Sequence, residues 1–160
     1  MPLNAVLDSV VLISAFLTPG GVADAVLQGA IENRFTCFLS EDIIAETTRR
    51  LLSPRLQQRY GYETADVEAF GSGLRASFDL VTDMPVLSGV VRDPNDDMIV
   101  ACAVAASADY LVSRDDDLLS LENYDGITMM TPEAFMAVLR DETSAGRDEE
   151  TGDADDGEEA

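Results

Sequence analysis

Apolar residues recur along the chain in short blocks, and the blocks alternate between two kinds of spacing. "LNAVLD" (3–8), "FTCFLS" (35–40), "DYLVS" (109–113) and "GITMMTP" (126–132) are compact apolar runs of strand length, bounded by polar or turn residues. A further short strand is expected around Leu80–Val81, within "DLVTDMPV". Between the strands the spacing is helical. "VADAVLQGAIENR" places Val22, Ala25, Val26, Gly29 and Ala30 on one face. "VVLISAFL" is apolar enough for either a second strand or a buried helical segment, and "TPGG" at 18–21 ends it.

Capping chemistry sharpens the boundaries. Ser40 is placed as an N-cap, with Glu41 and Asp42 at the positive end of a helix running "EDIIAETTRRLL" to about Leu52, where "SP" stops it. Residues 54–60 read as a short basic helix, and "TADVEAFGSGLRASF" as a longer one weakened by Gly71 and Gly73. Asp93 and Pro94 are N-cap and first residue of a helix that continues to about Ser107. "DDDLLSL" is a short helical turn, and Thr131 and Pro132 open a final helix, "PEAFMAVLRDE". Short apolar strands alternating with helices imply an α/β fold: a three-layer α/β/α sandwich with a short central parallel sheet. One domain over 1–140 is expected. Residues 141–160 hold ten acids and one arginine, with almost nothing to bury, and are expected to be a disordered acidic tail.

Composition narrows the chemistry. With no histidine, triads built on it and the usual zinc sites are excluded. Cys37 and Cys102 lie in apolar runs without metal-ligand spacing, and read as small buried hydrophobes in a reducing cytoplasm. No apolar stretch is long enough to span a membrane, and the N-terminus does not read as a secretory signal. The tail's net charge of −9 leaves −12 of the chain's −21 on residues 1–140, and all ten basic residues are arginine. A lysine-free acidic surface suggests adaptation to high salt.

In open parallel sheets, sites form beyond the carboxyl ends of the strands. Asp8 ends the first strand, and Asp115 follows the strand "DYLVS" by two residues. Asp97 lies in the first turns of the helix leading to that strand, and Glu46 in the helix after "FTCFLS". Each has a structural reading beside the functional one. Asp8 suits a turn or a helix cap, and Glu46 suits ion pairs with Arg49 or Arg50 one turn on. Asp93 and Asp96 suit the helix dipole and are assigned to it. Asp97 lies past the cap, on a line with Ala101, Val104 and Ala105 that is expected to pack inward, so its carboxylate needs a strong partner. Asp115 suits a cap, Asp116 the surface, and Asp117 points either back to Asp115 or outward. Converging carboxylates repel one another, and a hard divalent cation resolves the conflict. Phosphodiester hydrolysis is the usual chemistry of such a centre.

The motifs "AVLDSVVLISAFLTPGG", "FLSEDIIAETTRRLLSP", "RDPNDDMIVACAVAASADYLVSRDDDLL" and "GITMMTPEAFMAVL" resemble the PIN domain family over about residues 3–140. The likeness is greatest to its branch of toxin components from toxin–antitoxin systems. The resemblance implies a metal-dependent endoribonuclease that uses Mg²⁺ or Mn²⁺ and leaves 5′-phosphate and 3′-hydroxyl ends. It implies Asp8, Glu46, Asp97 and Asp115 as the four acids. Metal would be held by Asp8, Asp97 and Asp115, with Glu46 and Asp117 as further candidates. Ser9 falls at the adjacent hydroxyl position, where it would hydrogen-bond a ligand carboxylate or the scissile phosphate. Many members carry asparagine two residues after the first acid, where this chain has Val10.

RNA, a cognate antitoxin and a second copy of the chain are the partners implied, and no membrane. Arg49, Arg50, Arg55 and Arg59 are candidates for RNA phosphates, or else a solvated face. The alternative function is a weakly active or inactive PIN-like domain that binds RNA or protein as a regulator. A phosphoryl-transfer receiver would need a late lysine, and a haloacid-dehalogenase-like phosphatase an aspartate at Val10; neither is present.

Overall fold

A computed structural model of the protein describes residues 3–142, so the acidic tail lies almost wholly outside the described residues. Six strands form one sheet in the order β3-β2-β1-β4-β6-β5. β1 (Asn4–Leu7) is central, with β2 (Thr36–Leu39) and β4 (Tyr110–Val112) parallel on either side. β3 (Asp79–Leu80) extends one edge in parallel, and β6 (Ile127–Met130) pairs in parallel with β4. β5 (Asn123–Tyr124) is antiparallel to β6 and was not expected from the sequence. It exists because Asp125 (φ 51°) and Gly126 (φ 81°) both take positive φ, making a tight hairpin turn.

The segment left open as strand or helix, "VVLISAFL", is helical: α1 spans Ser9–Leu17. Asp8 is its extended N-cap residue, so the chain turns from strand to helix at the first acid. α2 (Val22–Ile31) follows the glycine break, and α3 (Glu41–Leu51) begins where the Ser40 hydroxyl accepts the Ile43 N–H at 3.2 Å. α4 (Pro54–Tyr60) and α5 (Thr64–Ser77) come next. Gly71 in α5 has a packing reason, since a Cβ there would lie 2.9 Å from the Thr48 methyl of α3.

α6 (Pro94–Ala105) is capped by Asp93, whose Oδ1 accepts the Asn95 N–H at 3.0 Å. It ends short of Ser107, which takes positive φ. α7 is the single turn Asp116–Leu119, and a last helix covers residues 132–142, with the Thr131 hydroxyl accepting the Ala134 N–H.

The chain steps outward from β1 through β2 to β3, then returns past β1 to β4. Right-handed crossovers place the helices of the outward steps on one face and α6 on the other. The core between them includes Val6, Leu7, Val11, Leu12, Leu39, Ile44, Val100, Leu111 and Val112, each fully buried. Cys37 and Cys102 are buried free thiols, and burial pushes both up, Cys102 to about 12, so they behave as the small hydrophobes expected. No single helix among the described residues is long and apolar enough to cross a membrane.

Candidate metal centre

Because β1, β2 and β4 are parallel, their carboxyl ends share one edge, and the acids gather there. Asp8 follows β1 directly and is only 2 % exposed. Its carboxylate is held from two directions. The Ser113 hydroxyl, just past β4, donates to Oδ2 at 2.7 Å, and the Ser9 hydroxyl lies 3.3 Å from Oδ1. Burial raises the Asp8 pKa above the usual carboxylate range, and the nearby Glu46 carboxylate raises it further, while the two serines pull the other way.

Glu46 joins through the same serine, its Oε2 lying 3.2 Å from the Ser9 hydroxyl. The expected alternative, ion pairing with Arg49 or Arg50, is not formed: among the described residues the ion pairs are Arg75–Glu41 and Arg114–Glu133. Arg49, Arg50 and Arg55 are exposed without an anionic partner among the described residues, and Arg59 lies 5.5 Å from the Tyr60 ring centroid.

Asp115 caps α7, its Oδ1 3.4 Å from the Asp117 N–H, while its own N–H donates to the Ser113 hydroxyl at 2.9 Å. Asp117 points back rather than outward. Together with Asp96 these residues bring three carboxylate oxygens within 4.8 Å of one another, a spacing one divalent cation could bridge.

The third acid differs from the sequence expectation. Asp97 is buried but turned away: its Oδ1 accepts the Val91 N–H at 2.7 Å and its Oδ2 the Gly89 N–H at 3.1 Å. That carboxylate ties the loop before α6 to the helix and does not enter the cluster. Asp96, to which sequence reasoning gives only a helix-dipole role, enters it instead. Its Oδ2 is shielded from solvent with no hydrogen-bond partner among the described residues. Burial, then the facing Asp115 carboxylate, then Asp8 and Asp93, push its pKa up to about 8. A buried carboxylate oxygen without a donor is costly, and this one sits where a cation would satisfy it. The donor set fits a hard metal: carboxylates only, with no nitrogen or sulfur ligand in reach.

Burial in the structure separates the two neighbours: i+3, i+4 and i+7 from Asp96 are Ile99, Val100 and Ala103, all buried, whereas the line from Asp97 reaches half-buried Val104 and exposed Ala105. Ser113 was also missed. Its hydroxyl joins the ends of β1 and β4 by donating to Asp8 and accepting from Asp115. Ser113→Ala is therefore expected to leave the fold intact and loosen both acids, lowering metal affinity about 10-fold or more. Titration of the purified variant with Mn²⁺ checks this; unaltered affinity would count against it.

The fold is thus an α/β domain with a mostly parallel sheet and carboxylates collected at its carboxyl edge. The chain belongs to the PIN domain family, whose model matches residues 4–117. It is also similar to an uncharacterized protein of Methanocaldococcus jannaschii, MJ1680, with 26 % identity over 121 residues, which is 76 % of each chain. PIN domains are generally nucleases that bind nucleic acid and typically use a divalent metal.

Proposed function

We propose that the protein is an endoribonuclease that hydrolyses RNA phosphodiester bonds with Mg²⁺ or Mn²⁺. The observation that carries this reading is the meeting of Asp96, Asp115 and Asp117 beside buried Asp8, with one Asp96 oxygen unpartnered. Asp96, Asp115 and Asp117 would hold the cation, with Asp8 beside them. A cation bound there supplies positive charge that makes water a nucleophile at neutral pH and offsets charge building on the phosphate.

The chain's own groups do the rest. Asp8 is kept in place by Ser113 and Ser9, so it need not reorganise when the cation binds. Glu46, held at Ser9, is placed to orient a water and accept its proton. Arg49, Arg50, Arg55 and Arg59 have no anionic partners among the described residues and would contact RNA phosphates, which offsets locally the repulsion expected from a chain of net charge −21. Hydrolysis of this kind leaves a 5′-phosphate and a 3′-hydroxyl.

The purified chain is expected to cut single-stranded RNA with Mn²⁺ or Mg²⁺ and to stop on chelation. Cleavage that persists in chelator, or none with either metal, would sink the reading. The likeness of the motifs to the toxin branch favours use as the toxin of a toxin–antitoxin pair, acting as a homodimer restrained by its antitoxin. Expression in a bacterial host should then arrest growth, and Asp96→Asn should relieve the arrest.

A further inference from the structure

Residues of α3 and α6 together line one cleft. On α3, Asp42, Glu46 and Arg49 stand at i, i+4 and i+7; on α6, Asn95, Met98 and Ile99 stand at i, i+3 and i+4. Between them, over Ile43, is a cleft of about 260 Å³. Glu46 lines the cleft and also reaches Asp8 through Ser9, and Asn95 precedes Asp96 on α6, so the cleft adjoins the candidate centre. On the RNA-cleavage reading, a group in this cleft would lie near the reacting phosphate.

We propose that the cleft is a base-binding subsite. It holds the nucleobase flanking the scissile phosphate and favours bases that carry an exocyclic amine. The proposal rests on the RNA-cleavage reading above and adds a selectivity to it. The size points to one ring system, since the cleft falls just below the ~300 Å³ at which drug-sized sites begin.

The chemistry is that of a flat ring with a polar edge. Ile43 and Ile99 are buried and make an apolar floor, and Met98 is left 45 % exposed amid carboxylates. A base laid on Met98 would cover that surface and gain a sulfur–aromatic contact. The rim is polar and unsatisfied. Neither Asp42 nor Arg49 has a hydrogen-bond or ion-pair partner among the described residues. Asn95 offers both a donor and an acceptor.

Asp42 and Glu46 disfavour a phosphate within the cleft, which leaves the backbone to Arg49 at its rim and to Arg50, Arg55 and Arg59, which do not line it. The same Asp42 carboxylate accepts from the amines of adenine, cytosine or guanine, whereas uracil presents carbonyl oxygens at the corresponding positions. Only an unstacked base can enter, so the substrate is single-stranded at the cut.

Two measurements on the full chain test this. The first maps cut sites in a random-sequence single-stranded RNA pool with Mn²⁺. Wild type should disfavour uridine by about 10-fold at one position flanking the cut. Asp42→Asn, whose amide can donate to uracil O4, should flatten or reverse that bias at the same position alone. The second measures binding of a short single-stranded RNA containing 2-aminopurine, with Ca²⁺ present. Met98→Ala should weaken binding about 3- to 10-fold, within the range for loss of one sulfur–aromatic contact, and reduce the fluorescence change on binding. If wild type cuts RNA but shows no base bias that Asp42→Asn alters, and Met98→Ala binds as wild type does, the subsite is overturned and the nuclease reading stands. If wild type cuts no RNA with either metal, the nuclease reading fails and the subsite with it.

Discussion

Asp96→Asn should lower the rate of RNA cleavage by at least about 100-fold, whereas Asp97→Asn should retain activity within about 10-fold of wild type. The two neighbours differ because α6 points them in different directions. Asp96 faces Asp115 and Asp117 with an unpartnered oxygen, so losing its charge removes a candidate ligand and the charge stabilisation that depends on it, an effect worth several kcal/mol. Asp97 accepts two backbone N–H groups, from Gly89 and Val91.

Stability should move the opposite way. Asparagine at position 97 keeps one acceptor and turns an amide N–H₂ toward the other N–H, at a cost of about 1–3 kcal/mol. Asparagine at position 96 relieves carboxylate repulsion, so the metal-free variant should be as stable as wild type or more so at pH 8. Denaturant unfolding beside single-turnover cleavage tests the pair. An inactive and destabilised Asp97→Asn together with an active Asp96→Asn would restore the assignment read from the sequence.

Metal-free protein should lose stability as pH rises from about 5 to 8, and a divalent cation should reverse that loss. The sign follows from the raised carboxyls. Asp96, ordinary when unfolded, is pushed up to about 8 in the fold, and Asp8 is shifted in the same direction. Between the unfolded and folded values the native state holds protons that the unfolded chain has released, so stability falls with rising pH across that window. The pairs Glu41–Arg75 and Glu133–Arg114 have lowered carboxyl pKa values, so their contribution changes only at more acid pH. Below about pH 8 a cation must displace the Asp96 proton, and its affinity should fall about 10-fold for each pH unit. At 100 times its Kd, Mn²⁺ should add about 2.7 kcal/mol of stability. Thermal melts at pH 5, 6.5 and 8, with and without Mn²⁺, measure both effects. Melting that rises with pH in chelator, or is unmoved by Mn²⁺ at pH 8, would contradict the account.

Most of this architecture was legible in the chain. The caps at Ser40 and Asp93 and the compact strands "NAVL", "TCFL" and "ITMM" are local signals, and each appears where residue chemistry places it. Asp8 and Asp115 were legible because strand ends define the edge of a parallel sheet. Asp96 was not, for two reasons. α6 is apolar on nearly every side after its first turn, so its periodicity does not orient that turn, and helix-dipole chemistry already gave Asp96 a sufficient role. The partner that occupies Asp97 is the backbone of a loop without secondary structure, and no spacing rule reveals it. β5 escaped because two residues supply no period. A Ser9 contact to one of the acids is expected from the resemblance, but not that it links Asp8 to Glu46, since the i+3 and i+4 arginines offer Glu46 nearer partners.

The central claim is that these carboxylates form a divalent-cation site with Asp96 as a member. Direct Mn²⁺ binding tests it, followed at pH 8 by loss of the free-ion electron paramagnetic resonance signal. Wild type and Asp97→Asn should bind Mn²⁺ with similar affinity, and Asp96→Asn should bind at least about 100-fold more weakly. Equal binding by wild type and Asp96→Asn, or no binding by wild type, would contradict it.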